Sequence, residues 1–115
     1  MRLFFIINLL LLLGLSVLST SVFSQDKQLT TKRKQTLIHI LKQDCGSCHG
    51  MTLKGGLGSP LLPKNLKKQT TKMIENTILY GRPGTAMPPW NTILTKQEIH
   101  WLALQLKQGI KDENH

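Results

Sequence analysis

Apolar side chains fall into four blocks along the chain. The first is nearly continuous: from Leu3 to Leu18 only Asn8, Gly14 and Ser16 interrupt it. The other three are periodic. Leu37, Ile38, Ile40 and Leu41 follow the basic run Lys32-Arg33-Lys34 at spacings that predict one face of a helix. Thr30 or Thr31 is suited to cap its start. Met73, Ile74, Thr77 and Ile78 predict a second helix, starting near Thr70 or Thr71 and leaving at Gly81, with Met73 in the core. Ile99, Leu102, Ala103 and Leu106 predict a third. There Thr95 and Glu98 have the spacing of a capping box, and Gly109 closes the helix.

The segments between these blocks are rich in breakers. Gly50, Gly55, Gly56, Gly58, Pro60 and Pro63 follow the first periodic block. Residues 81–90, GRPGTAMPPW, hold three prolines and two glycines and suit neither a helix nor a central strand. No strand pattern and no repeat is visible. The expected class is therefore all-α: three to four short helices joined by long Gly/Pro loops. Loops of that length in so small a domain are usually functional, and the apolar residues are too few to hold them unaided. Something else must fill the centre.

The continuous block has a different meaning. A basic Arg2, an apolar stretch and a small-residue exit at Val22-Phe23-Ser24 read as a secretory signal peptide over 1–24. That leaves a domain over 25–115 that is exported. An uncleaved membrane anchor is the alternative; with cleavage no stable membrane insertion is expected. The chain carries 15 basic and 6 acidic residues, a formal charge of +9 that falls to +8 without Arg2. Such a charge speaks to partners rather than to fold. Export argues against nucleic acid and leaves an acidic protein or a merely basic surface.

Only two cysteines are present, in CGSCHG at 45–50. Four chemistries suit them. A disulfide would close a ring too small to organise the loops. A redox dithiol belongs at the start of a helix in a strand–helix fold, whereas this pair follows a helix. Zinc needs a further ligand, from His39, His100 or His115, and none has paired metal-site spacing. The fourth is covalent haem, since Cys-x-x-Cys-His is the attachment motif of c-type cytochromes. Cys45 and Cys48 would reach the two vinyl groups, and His49 would ligate the iron. Haem would also supply the missing centre. A second axial ligand is then required, or an open site as in a haem enzyme or gas sensor. Met51 lies too near His49 to cross the ring. Met87, in the proline-stiffened loop, is the candidate sixth ligand, with Trp90 a candidate cover for the haem.

With these residues in view, the chain resembles the small class I c-type cytochromes over roughly Leu37 to Gly109. The resemblance implies a class I cytochrome c fold: a first helix over Thr31–Asp44, the haem motif, a Gly/Pro loop, a middle helix over Thr71–Tyr80, the Met87 loop and a last helix over Lys96–Lys107. It implies that a proline carbonyl, assigned to Pro60, accepts the free N–H of His49 and tunes its basicity. The usual Gly-Pro pair is split here by Ser59. It also implies that the first and last helices cross, with Leu41 and Trp101 as contacts or with Trp101 at the haem edge. Arg82 is a candidate partner for a haem propionate. DCGSCHGMTLKGGLGSPL and ILYGRPGTAMPPW are similar to the periplasmic cytochromes associated with cytochrome cd₁ nitrite reductase in denitrification. That resemblance implies single-electron transfer to the reductase, with no catalysis of its own. The alternative is a redox partner of a dehydrogenase in the last oxidation of d-type haem synthesis.

Overall fold

The computed structural model describes residues 28–110 together with Met1. The leader expected over 1–24, and its cleavage, lie outside the described residues. Helix α1 spans Thr31–Ile40, and Thr30 Oγ1 accepts the Arg33 N–H at 3.2 Å to cap it. The helical path does not stop at Asp44 as expected. It widens into one π turn, Leu41–Cys45, and resumes as a short helix α2, Gly46–His49. The whole Cys-x-x-Cys-His stretch is thus helical, and it ends at Gly50 with φ +86°. Leu37 and Leu41 are buried, while Ile38 and Ile40 are half-buried against the core.

The segment from Gly50 onward turns back over α2 and is laced to it. Gly55 N–H donates to His49 O (2.8 Å), Gly58 N–H to Cys48 O (2.8 Å) and Leu53 N–H to Gly50 O (2.7 Å). These bonds answer the carbonyls that a helix end leaves unpaired. Leu53 adopts φ +56° yet is buried, so the apolar contact offsets a backbone that leucine rarely takes. A single helical turn, α3 over Pro63–Leu66, follows. It was not foreseen, although proline at a first helical position is a known start signal.

Helix α4 spans Thr71–Tyr80, capped by Thr70, whose Oγ1 accepts the Met73 N–H at 3.1 Å. Ile74 is its buried residue; Met73, expected in the core, is 54% exposed. The face that turns inward is Ile74, Thr77 and Ile78, and Met73 lies just beyond its edge. Helix α5 spans Lys96–Gln108 and carries the foreseen capping box: Thr95 Oγ1 accepts the Glu98 N–H (3.3 Å) and Glu98 Oε2 accepts the Thr95 N–H (2.8 Å). Ile99, Leu102, Ala103 and Leu106 are all buried. Helix α5 is the spine on which α4, α3 and α1 pack. Among the described residues there is no strand, and no helix is long and apolar enough to cross a membrane.

Candidate cofactor site

A cavity of about 350 Å³ opens into the middle of this packing, within the range of roughly 300–1,000 Å³ usual for ligand pockets. Leu41, Leu66, Ile74, Leu94, Leu102 and Leu106 belong both to the buried core and to its walls. The chemistry is concentrated at two places. The π turn and α2 bring Cys45, Cys48 and His49 to the cavity, and the Gly/Pro segment after Gly81 brings Met87. Residues some 40 apart in sequence therefore share one apolar chamber.

Cys45 and Cys48 are free thiols, both half-buried. Burial pushes the Cys45 thiol up to about 11, and the charge of Asp44 adds to the effect. A redox dithiol needs a thiol shifted the other way. Among the described residues no three His, Cys, Asp or Glu side chains gather in a metal-holding group, and neither His39 nor His100 joins the cysteines at the cavity. His39 and His100 are exposed, and His100 Nδ1 sits 2.5 Å from Glu75 Oε1, a contact that lowers the Glu75 carboxyl. His115 lies outside the described residues.

His49 Nδ1–H donates to the main-chain carbonyl of Ser59 at 2.6 Å. A carbonyl only accepts, so in the neutral ring this contact selects the tautomer whose Nε2 lone pair is open to a metal. The acceptor expected was Pro60, and this corrects that assignment. The bond from Gly58 N–H to Cys48 O sets the height of the loop, and Ser59 is the residue that then reaches the ring. Pro60 lies outside the cavity wall, within reach of Gly55, where a Cβ built on Gly55 would come 3.2 Å from the Pro60 Cγ.

The Met87 loop is tied to itself. Arg82 N–H donates to Met87 O (3.1 Å), Thr85 Oγ1 donates to Arg82 O (2.7 Å) and accepts the Met87 N–H (3.2 Å). Gly81, with φ +65°, has no room for a side chain: a Cβ there would lie 2.6 Å from the Pro88 carbonyl carbon and 2.7 Å from Met87 O. Met87 is half-buried, whereas Met51 and Met73 are exposed and absent from the cavity walls. Trp90 is in the wall, its main-chain N–H donating to Ile78 O at 3.0 Å, and Arg82 stands exposed at the rim. Trp101 packs on the core and does not line the cavity. The sequence did not flag Ser59 or Thr85 as parts of this site. Ser59 acts through its main-chain carbonyl and Thr85 through hydroxyl bonds set by the turn of the loop, and residue type alone reveals neither.

Two thiols, an imidazole with a selected tautomer and a thioether, set around apolar walls, are a donor set that fits a covalently held haem. Comparison with known proteins agrees. Residues 33–104 match the family model described as cytochrome c oxidase, cbb3-type, subunit III. Cytochrome c55X of Pseudomonas aeruginosa is 43% identical over 84 residues, covering 73% of this chain and 71% of that protein. Nitrite reductase of Stutzerimonas stutzeri is 33% identical over 107 residues, which is 81% of this chain but 19% of that enzyme. Among solved structures, a c-type cytochrome NirC superposes with TM-score 0.69 at 43% identity, covering 70% of this chain and 95% of that one. Dihydro-heme d1 dehydrogenase NirN, in complex with DHE, gives TM-score 0.58 at 32% identity over 62% of this chain and 15% of its own.

Proposed function

The chain belongs to the c-type cytochrome family of the cbb3 subunit III model, and from that premise we propose that it carries single electrons in the periplasm to cytochrome cd₁ nitrite reductase. The family's cofactor is a covalently attached haem c, and CGSCH at 45–49 is the attachment motif. When bound, the haem supplies an iron that gains or loses one electron. The protein's own residues hold and shield it. Cys45 and Cys48 would form the two thioether links, and His49 and Met87 would be the axial ligands. Trp90 would cover the group and Arg82 would meet a propionate. With His49 and Met87 both holding the iron, the site would favour electron transfer over the bond chemistry of a haem enzyme or the ligand binding of a gas sensor.

The observation that carries this proposal is an apolar cavity lined together by Cys45, Cys48, His49 and Met87. The apolar leader supports export, and its removal would leave the chain free of the membrane. The formal charge of +9 suits a brief encounter with an acidic partner surface, steered by long-range attraction and weakened by salt. The likeness to nitrite reductase and to cytochrome c55X supports that partner. The test is stopped-flow oxidation of the reduced, haem-loaded protein by cytochrome cd₁ nitrite reductase, with nitrite and without oxygen, at low and high salt. Fast oxidation that slows with salt is expected.

The likeness to dihydro-heme d1 dehydrogenase favours a second role, as redox partner in the last oxidation of d-type haem synthesis. Slow or absent oxidation by the reductase, with the haem intact, would move the proposal to that dehydrogenase.

A further inference from the structure

We propose that Gly58 is the positioning residue for the His49 imidazole, its bare Cα face forming the surface against which the ring lies; this rests on His49 being an axial ligand. A Cβ built on Gly58 would fall 2.7 Å from both Cε1 and Nδ1 of His49 and 3.1 Å from Cγ. Those are three atoms of one ring, so the glycine faces the imidazole rather than its edge. No real Cβ sits that close, and one partner must move.

The backbone of Gly58 is held from two directions. Its N–H donates to Cys48 O at 2.8 Å and its carbonyl accepts the Gly56 N–H at 3.0 Å. The next carbonyl, at Ser59, takes the His49 Nδ1–H. A side chain at 58 would therefore meet a loop pinned to the haem motif, and the ring would yield. Gly58 shows no positive φ, unlike Gly50 and Gly55, so it is not glycine for backbone reasons. What it supplies is space for one ring at one angle, together with the Nδ1–H bond to Ser59.

The test is Gly58→Ala in the haem-loaded protein, with Lys54→Ala as control. Lys54 stands exposed in the same loop. The expected result is a change in the low-spin ferric EPR g-values and an upward shift in reduction potential, because a lengthened bond to Ser59 makes the imidazole a weaker donor. Lys54→Ala should leave the g-values near wild type. Unchanged g-values and potential in Gly58→Ala, or equal changes in both variants, would overturn the proposal. Should Gly58→Ala not load haem, the wild-type ferrous protein decides by NMR. Nuclear Overhauser contacts between the Gly58 α-protons and the His49 ring protons are expected, and their absence overturns it. Ring-current-shifted His49 signals without those contacts would fail Gly58 alone. Unshifted His49 signals would fail the axial assignment itself.

Discussion

Arg33 Nε lies 2.5 Å from Glu98 Oε1, joining the first turn of α1 to the capping carboxylate of α5 across 65 residues of chain. The carboxylate is buried and also accepts the Thr95 N–H through Oε2. One side chain thus completes a helix cap and ties α1 to α5. The guanidinium holds the Glu98 carboxyl below its ordinary value, against the opposing effect of burial, and Glu98 raises Arg33 in turn.

Glu98→Ala removes both roles and should destabilise the haem-loaded protein by about 1–2 kcal/mol, less than a fully buried pair would cost, because Arg33 is over a third exposed. Urea unfolding at neutral pH measures it. The folded value being lowered, this stabilisation is present above the unfolded value near 4.5 and is lost as pH falls through the lower folded value. Glu98→Gln should therefore flatten that acid limb of the stability curve.

Helices α1, α4 and α5 were legible because each reports itself locally. The box at Thr95 and Glu98, the threonine before each of these three and the apolar spacing of α4 and α5 are properties of neighbouring residues. The haem motif was legible for the same reason, and so was the candidacy of Met87, which the structure brings to the cavity wall. Besides the single turn α3, three features were not. The π turn at Leu41–Cys45 leaves no mark in residue type. The partner of Glu98 is distant in sequence, and nothing local distinguishes Arg33 from Lys32 or Lys34. The acceptor for His49 is a main-chain carbonyl, and every residue has one, so choosing Ser59 over Pro60 required the loop's height over α2.

The Ser59 assignment has a simple consequence. Since the main-chain carbonyl is the acceptor, Ser59→Ala should leave the reduction potential and the optical spectrum of the haem-loaded protein unchanged. A clear shift in the potential would mean that the hydroxyl, not the carbonyl, governs the imidazole.

Met87→Ala tests the sixth ligand. A thioether favours ferrous iron and raises the potential. Its removal should abolish the weak far-red band of an iron–methionine bond and lower the potential, while the thioether links remain. Met51→Ala and Met73→Ala should do neither, because both side chains lie outside the cavity wall. A far-red band that survives in Met87→Ala would remove Met87 from the role.

Thr85 ties down the Met87 backbone with its side-chain hydroxyl. Its hydroxyl donates to Arg82 O and accepts the Met87 N–H, closing the loop between the two. Valine matches its shape and lacks both bonds. Each such bond is worth about 1 kcal/mol net, and Thr85 is exposed, so water recovers part of the loss. Thr85→Val should therefore leave the far-red band in place yet make the Met87 position easier to take. Titrating the ferric protein with imidazole should show an apparent affinity up by about fivefold, the equivalent of roughly 1 kcal/mol. The stability to urea should change by less than the loss in Glu98→Ala, because the loop packs at the cavity mouth rather than in the core. Equal imidazole affinity in the variant and the wild type would mean that Pro88, Pro89 and Gly81 hold the loop by themselves.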